Sequence, residues 1–412
     1  MNPTLKGSHG VSLVRPFQGR NVLSSCTGGG ARFARSAPGY YVYPLRGLNC
    51  PPSILVSRQS IHVQKGGIKG ASILSNSFGE RVESVMSLKS LSRWAALASC
   101  AAVLLLTGAA AAQSQGWSGG RQGPPGKDLN AVYFLDSKRG WVAGDGGVVL
   151  RTRDGGRTWT RQTVETKESI NDVYFRNEED GYLLAASQIF TTEDGGETWT
   201  PSARFYPATF GADPELYSVR FTSKKRGWVV GSLSRGENVI DSLVIATTDG
   251  GASWQRQRVP VKDELIHLDF DGDKRGWIVG SGGRVLHTGD GGETWEVQES
   301  GTTAALYHVD FEGGERGWAV GERGTILRTD DGGRTWRSVP PRVRTTLLSV
   351  KFVNKEEGWA VGRGGVILRT DDGGASWVQQ ESNTRQHLYA LFFDKKVGWA
   401  VGGDGLVLRY ER

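Results

Sequence analysis

Cysteine and methionine are scarce in this chain, with three and two residues among 412. The three cysteines, Cys26, Cys50 and Cys100, all precede residue 113. Their absence from residues 113–412 excludes disulfides, thiolate metal sites and cysteine nucleophiles there, and it suits a protein exported to an oxidising compartment. We therefore expect residues 113–412 to fold by packing alone.

Excess positive charge is also missing from most of the chain, although the total formal charge is +7. Residues 1–85 carry +8 and residues 86–112 carry +2, which leaves −3 for residues 113–412. A mildly acidic region lacks the phosphate-neutralising excess that nucleic-acid binding requires. We therefore expect no nucleic acid among the partners.

Long apolar runs are rare, and the one in the N-terminal part spans 13 residues, 94–106. It follows Lys89 and Arg93 and precedes small residues, an order typical of a secretory signal over residues 86–112 with cleavage after Ala112. Thirteen residues are too few to span a bilayer as a helix. We expect export to the periplasm or outside of a bacterium, or to the thylakoid lumen of a photosynthetic cell.

Residues 1–85 are rich in Gly, Ser and Arg and show no periodicity, so we expect an unstructured upstream segment. Two interpretations stay open. Either Met86 is the true start and the upstream stretch is a mis-assigned start, or residues 1–85 are an organellar transit peptide, whose composition is Arg-rich and poor in acids.

Glycine and tryptophan are abundant, at 59 and 14 residues, and they recur with a period. A Gly-Trp pair, replaced once by Gly-Tyr, returns every 40 to 49 residues, and short β-branched or aromatic segments separated by Gly-rich turns surround each pair. Seven units of this length, without helical patterning, predict an all-β fold, a seven-bladed β-propeller of four-stranded antiparallel blades over residues 127–412. The landmark residues are Trp141, Tyr182, Trp228, Trp277, Trp318, Trp359 and Trp399.

Six of the seven units carry the pattern T-x-D-G-G-x-[ST]-W between their third and fourth strands. An Asp carboxylate can accept backbone hydrogen bonds within its own turn, and glycines tolerate positive φ. Repetition at equivalent positions indicates a structural turn rather than a catalytic group, because a catalytic site is a unique arrangement of residues that occurs once in the chain. The six residues are Asp154, Asp194, Asp249, Asp290, Asp331 and Asp372.

The seventh unit ends without an Asp turn or a fourth strand. An open edge strand is a liability for aggregation. Gly116-Trp117 matches the end of the turn pattern without its Asp, so we predict that residues 113–126 form a linker and a closing strand near Trp117 that completes the ring.

Arginines cluster on the turns between strands two and three and on the links between blades, which share the propeller face opposite the Asp turns. We predict that they form a basic patch for an acidic segment of a client protein, because guanidinium groups bind carboxylates well. Scattered solvated charges are the alternative interpretation. The residues are Arg284, Arg323 and Arg363 in the turns and Arg342, Arg344 and Arg385 in the links.

Two other sets of residues compete for a functional role. His267 and His308 occupy equivalent places in strand one, but no third ligand recurs with them, so we expect no metal and no cofactor. The third unit is longer than the rest, at residues 206–215 and 232–241, and insertions in regular repeats often carry function.

The Asp turn resembles the sialidase-type Asp box. Together with G-W-[AV]-V-G and the C-terminal stretches 397–402 and 405–410, the repeat resembles the photosystem II stability/assembly factor family over about 295 residues. The resemblance implies a non-enzymatic lumenal or periplasmic factor that binds a newly made photosystem II reaction-centre subunit. We expect a monomer that reaches the membrane only through such a client. The uniform blades also fit relatives from non-photosynthetic bacteria, whose client would differ.

An enzyme is the second hypothesis, because Asp boxes also occur in sialidases and some glucanases. Glycoside hydrolases use paired carboxylates, or an Arg cluster with a Tyr nucleophile. Asp145, Glu322 and Asp404 lie in turns between strands two and three and are the candidates for such a pair. Their Gly neighbours are those of plain turns, so we favour a binding protein.

Overall fold

The computed structural model describes residues 116–340, 343–395 and 397–411, which form seven four-stranded antiparallel sheets. The predicted upstream segment (1–85) and signal peptide (86–112) lie outside the described residues. Six sheets take their strands in chain order, and the seventh joins the last three strands to the first. The seven-bladed propeller predicted from the repeat is thus confirmed.

Each blade runs from an inner strand beside the central axis to a short outer strand. The closing strand is β1 (Gly116–Arg121), and blades 1 to 3 consist of β2 (Leu129–Phe134), β3 (Gly140–Gly144), β4 (Val148–Thr152), β5 (Thr160–Gln162); β6 (Ile170–Phe175), β7 (Gly181–Ala185), β8 (Gln188–Thr192), β9 (Thr200–Arg204); and β10 (Asp213–Phe221), β11 (Gly227–Arg235), β12 (Asn238–Thr247), β13 (Gln255–Arg256).

The remaining blades follow the same plan. Blades 4 to 7 consist of β14 (Leu265–Asp271), β15 (Arg275–Gly280), β16 (Val285–Thr288), β17 (Glu296–Gln298); β18 (Leu306–Glu312), β19 (Arg316–Gly321), β20 (Ile326–Thr329), β21 (Arg337–Ser338); β22 (Leu347–Phe352), β23 (Gly358–Gly362), β24 (Ile367–Thr370), β25 (Val378–Gln380); and β26 (Leu388–Asp394), β27 (Val397–Gly402), β28 (Leu406–Glu411) with β1.

One aromatic contact joins every blade to the next. The landmark Trp or Tyr of each second strand stacks on a Phe that is the last or last but one residue of the inner strand of the following blade, with ring centroids 3.4–4.3 Å apart. The series includes Trp399 on Phe134, which closes the ring from blade 7 to blade 1. Such pairs bury large apolar surfaces in a fixed geometry. The Gly-Trp repeat of the sequence is therefore the interface between blades.

The Asp turns hold the strand-three to strand-four connection and also serve the neighbouring blade. In each of the six turns the Asp accepts hydrogen bonds from the preceding Thr hydroxyl at 2.7–2.8 Å and from a backbone N–H four residues on at 2.9–3.0 Å. Hydrogen bonds from Thr158 lower the pKa of Asp154 to about 2. In four of the six turns the first glycine accepts the indole N–H of the preceding blade's landmark Trp, for example Trp318 Nε1 to Gly373 O at 2.9 Å.

The ring closes as predicted, through β1. This strand pairs antiparallel with β28, with Trp117 opposite Tyr410, and the Trp117 side chain is 4% exposed. Its ring meets Phe393 edge-on at 5.7 Å, the contact that each Asp-turn Trp makes with its own Phe. Trp117 therefore occupies the place of a seventh Asp-turn Trp. Blade 7 has no Asp turn, and the indole N–H of Trp359, which would face it, lacks a hydrogen-bond partner.

Blade 3 departs from the repeat in the predicted place. A four-residue helix, α1 (Pro207–Phe210), precedes β10, and β11 and β12 extend into a hairpin of nine and ten residues. Arg256 lies over the Phe210 ring and Arg235 donates to the Gly211 carbonyl, so the insertion packs against its own blade. Among the described residues, no helix is long and apolar enough to cross a membrane.

Candidate partner-binding face

The inner strands share a β-bulge that determines which side chains face the axis. In all seven, the register against the second strand shifts after the first Leu or Ile. A bulge places two residues opposite one and re-aims their side chains. Counting from that Leu or Ile, all seven third positions, six of the fifth positions and the second positions of blades 1, 2, 3 and 7 line an axial cavity of about 160 Å³. The fourth position holds an apolar core residue in every blade.

The third and fifth positions bring to the axis charged groups that the sequence patterns did not single out. Arg220 Nη1 lies 2.9 Å from Asp172 Oδ2, and Lys351 Nζ lies 2.5 Å from Asp310 Oδ1. Asp269 accepts the backbone N–H of Phe311, but burial and the neighbouring Asp310 carboxylate raise the pKa of Asp269 to about 6. Aligning the seven repeats by their Gly-Trp pairs would have shown that charged residues occupy equivalent inner-strand positions in several blades.

The two histidines that we considered as metal ligands lie at adjacent third positions of blades 4 and 5. Their rings stack with centroids 3.7 Å apart, and Arg220 Nη2 lies 3.0 Å from His267 Nε2. Burial, followed by the nearby cations, holds the pKa of His308 well below its usual range. In the described part of the chain, no group of three or more His, Cys, Asp or Glu side chains could hold a metal ion.

We call the face opposite the Asp turns, where the inner strands begin, the mouth of the propeller. The residue before each bulge Leu or Ile lies at this face, and we call these seven residues the entrance ring. In five blades the entrance-ring carbonyl accepts an N–H from the turn between strands two and three, as from Arg363 N to Thr346 O at 3.0 Å. The entrance ring consists of Asp128, Ser169, Glu215, Glu264, Ala305, Thr346 and His387.

Acidic groups dominate the entrance ring on blades 1, 3 and 4. Asp128 accepts the Tyr389 hydroxyl at 3.0 Å and the Asp404 N–H at 2.9 Å, so hydrogen bonds satisfy it. Burial, with the Glu168 carboxylate, raises the pKa of Glu215 to about 7. Burial also raises the pKa of Glu264 to about 7. The neighbouring Glu215 carboxylate raises this pKa further, whereas a hydrogen bond from Tyr217 lowers it.

Arginines dominate the same face on blades 5 to 7. Arg363 is half-buried between two links: Thr345 donates its hydroxyl to Arg363 O at 3.4 Å, and His387 Nδ1 accepts the Gly364 N–H at 3.0 Å. Arg344 precedes the first of these link residues, and Arg385 shares a shallow groove with Gly364. Arg323 is exposed on the turn of blade 5. We call Arg323, Arg344, Arg363 and Arg385 the arginine rim.

Two of the six predicted arginines stand apart from the rim. Arg284 donates to Asp263 at 2.8 Å, so a local carboxylate already engages it. Arg342 lies outside the described residues. Among the described residues, the four rim arginines form no ion pair within 4 Å, which leaves their guanidinium groups available to an acidic partner.

The backbone at Arg323 adds a signal that sequence reasoning missed. Its φ of 54° lies in the left-handed region, where the equivalent turn positions of blades 4 and 6 are Gly282 and Gly364. A side chain in this region costs conformational energy that glycine avoids, and such strain concentrates at functional sites. Asp404 has a φ of 56° at the equivalent position of blade 7 and stabilises a link there, whereas Arg323 forms no ion pair among the described residues. Arg323 is therefore a candidate for function because its strained backbone has no such local partner.

The carboxylates considered for hydrolysis are engaged in closing turns and links. Asp145 accepts the Ser169 hydroxyl at 2.8 Å, and Glu322 accepts the Tyr307 hydroxyl at 3.4 Å. Asp404 pairs with Arg121 and accepts the Gly126 N–H at 2.7 Å. Each of the three thus stabilises the blade link beside it.

A repeated scaffold with one non-repeated, charged face defines a protein-binding propeller. Residues 111–200, 159–256, 201–301, 293–386 and 342–411 match the family described as photosynthesis system II assembly factor YCF48. Because these segments cover more than half of the chain, the protein belongs to this family. A comparison with curated proteins gives no match.

Solved structures show the same fold at low identity. YCF48 bound to a D1 peptide is 23% identical, with a TM-score of 0.60 over 73% of this chain and 98% of that one. YCF48 from Cyanidioschyzon merolae is 20% identical, with a TM-score of 0.58 over 72% and 98%. The GH74 enzyme of Niastella koreensis is 13% identical, with a TM-score of 0.55 over 70% of this chain and 53% of that one. At these identities the likeness concerns the fold alone.

Proposed function

We propose that this protein is an exported, non-enzymatic assembly factor that binds an acidic segment of a photosystem II reaction-centre subunit on its arginine rim. The observation that carries the proposal is the rim itself, four arginines without an ion pair among the described residues, on the face opposite the Asp turns. Family membership supports the client class, and the related YCF48 structure holds a D1 peptide.

The test exchanges two rim turns for a turn that the chain already uses. The Arg323→Gly, Arg363→Ser double variant brings both turns closer to the Ser281-Gly282-Gly283 turn of blade 4 and relieves the left-handed backbone at residue 323. Overlapping peptides that tile the D1 protein are the probe, and their affinities are measured by fluorescence polarisation. We expect at least about tenfold weaker binding, since hydrogen bonds to charged groups contribute about 1.5–3 kcal/mol.

A matched control loses the same charge on the opposite face. Lys138→Ser with Lys274→Ser removes two exposed cations beside the Asp turns and should leave peptide affinity unchanged. If the rim variant binds as well as wild type does, the rim is not the binding site. If wild type binds no D1 peptide, the proposed client is wrong.

Binding rather than hydrolysis is part of the proposal. Asp145, Glu322 and Asp404 hold turns and links, and the family is named for assembly and not for a reaction. We expect no release of product from a fluorogenic sialoside or glucan incubated with micromolar protein. Turnover above that of heat-denatured protein would contradict this part.

Export is the remaining part of the proposed function. Residues 86–112 have the charged, apolar and small-residue order of a signal peptide, and cleavage after Ala112 would leave β1, which begins at Gly116, intact. N-terminal sequencing of the native protein should give a mature chain that starts at Gln113. A chain that retains Met86 would contradict export through this signal.

A further inference from the structure

Glu215 and Glu264 differ from three other acids of the propeller in having no basic partner. Asp172, Asp310 and Glu357 each lie within 4 Å of a basic side chain. Among the described residues, neither Glu215 nor Glu264 forms an ion pair within that distance. The two glutamates occupy equivalent places of the entrance ring on blades 3 and 4, and each adds to the negative potential that the other experiences.

The Glu264 carboxylate also lacks hydrogen bonds that its burial demands. The residue is 7% exposed, and its Oε1 atom is buried without a hydrogen-bond partner among the described residues. Burial of an unpaired carboxylate is costly, so a fold normally pairs it, hydrogen-bonds it or neutralises it. The Tyr217 hydroxyl bonds to Ser232 at 3.0 Å and also hydrogen-bonds the Glu264 carboxylate, so Oε1 is the oxygen of Glu264 that remains without a partner.

An apolar floor connects this acidic pair with the arginine rim. Ile266, Tyr307, Leu348 and Tyr389, the second-position residues of blades 4 to 7, form one buried cluster with Ala305 packed against it. The floor runs from the blade of Glu264 to the blades that carry Arg363 and Arg385. A bound segment that crosses it would meet positive charge at one end and negative charge at the other.

We propose that Glu215 and Glu264 form a subsite for a lysine or arginine side chain of the same client segment whose acidic groups bind the arginine rim. This subsite rests on the proposed function, because it uses the same face. An ammonium or guanidinium group that pairs with the partly exposed Glu215 would offset the repulsion between the two carboxylates and so stabilise the buried charge of Glu264. The client segment is therefore expected to carry both signs of charge.

The test selects peptides without assuming a client. A random peptide library is panned on wild type, on the Glu215→Gln, Glu264→Gln variant and on a Glu237→Gln control, which alters an exposed glutamate at the tip of the blade 3 hairpin. Thermal unfolding first establishes that each variant is folded. Wild type and control should enrich peptides with a basic residue at a fixed distance from an acidic one. The Gln variant should retain the acidic residue and lose the basic one.

Affinity of one selected peptide then measures the contact. Replacing its basic residue by norleucine should weaken binding to wild type about tenfold and leave binding to the Gln variant nearly unchanged. Enrichment of acidic residues alone on wild type would overturn the subsite while the arginine rim stands. Absence of both preferences would overturn the subsite and the proposed function together. A norleucine effect of equal size on wild type and variant would also overturn the subsite.

Discussion

The two ends of the propeller differ in how far their residues repeat. At the Asp-turn end, six blades carry the same Asp, the same Thr and the same hydrogen bonds. At the mouth, equivalent positions of the entrance ring hold residues as different as Glu264, Ala305 and His387. A residue that every blade repeats meets a need that every blade shares, whereas a residue found once serves something outside the repeat. We therefore assign stability to the first end and recognition to the second.

Among the predicted changes in stability, disruption of the closing strand β1 should have the largest effect. Trp117→Ala removes the seventh Asp-turn Trp, its contacts with Phe393 and Tyr410 and its hydrogen bond to Gln380. Removal of a buried Trp costs about 3–5 kcal/mol, so the Tm measured by circular dichroism should fall by about 10 °C. Ser118→Ala, on the exposed side of β1, is the control and should change little. An unchanged Tm for Trp117→Ala would mean that the ring does not depend on β1.

At the mouth, the acidic pair should make the fold less stable as the pH rises. Glu215 and Glu264 have a folded pKa of about 7, above the unfolded value of about 4.3. Protons are therefore held more tightly in the folded state, and stability falls as the pH rises from about 4.3 to about 7 and then levels off. Replacement of both by Gln should raise the Tm by about 4–8 °C at pH 8, for roughly 2 kcal/mol after discounting the partly exposed Glu215. Below about pH 4, where both states are protonated, the difference between variant and wild type should vanish. A difference independent of pH would contradict these ionisations.

Loss of a single Asp turn should lower the Tm less than Trp117→Ala does, and the change should be smaller than that of the Gln variant at pH 8. Asp154→Ala removes three hydrogen bonds at the surface, those from the Thr152 hydroxyl and from the N–H and hydroxyl of Thr158. The expected loss is about 1 kcal/mol, or about 2–4 °C in Tm, with no change in peptide affinity. The pKa of this carboxyl is lowered, so the loss should persist above pH 4 and disappear as the pH falls through about 2. Weaker peptide binding by this variant would contradict the assignment of stability to the Asp-turn end and of peptide binding to the mouth.

The sequence predicted the scaffold well because its signals repeat. Seven Gly-Trp pairs gave the blade count, and the missing seventh turn led to Trp117 as the closing residue, which the strand pairing confirms. Each of these features recurs at a fixed spacing, so a single sequence contains several independent copies of the same evidence. The order in which the strands of each blade pair also follows from that spacing.

The mouth was harder to predict because its chemistry depends on contacts between blades. The turns placed the rim arginines on one face, but only the structure shows that Asp263 engages Arg284 and that Arg323 adopts a left-handed backbone. Glu215 and Glu264 stand 49 positions apart, close to one repeat, yet their burial depends on the bulge in each inner strand. A bulge leaves little trace in composition. Comparison of equivalent inner-strand positions is the signal that could have found them.

Site-specific photocrosslinking tests the central claim, that the client lies across the mouth, most directly. A photoreactive phenylalanine is introduced at Gln386, an exposed link residue next to Arg385, or at Ser137, exposed at the Asp-turn end. Each protein is then irradiated with a D1 peptide that wild type binds, and the adducts are counted by mass spectrometry. The account predicts an adduct from position 386 and none from position 137. An adduct from position 137 alone would place the client on the opposite face and contradict it.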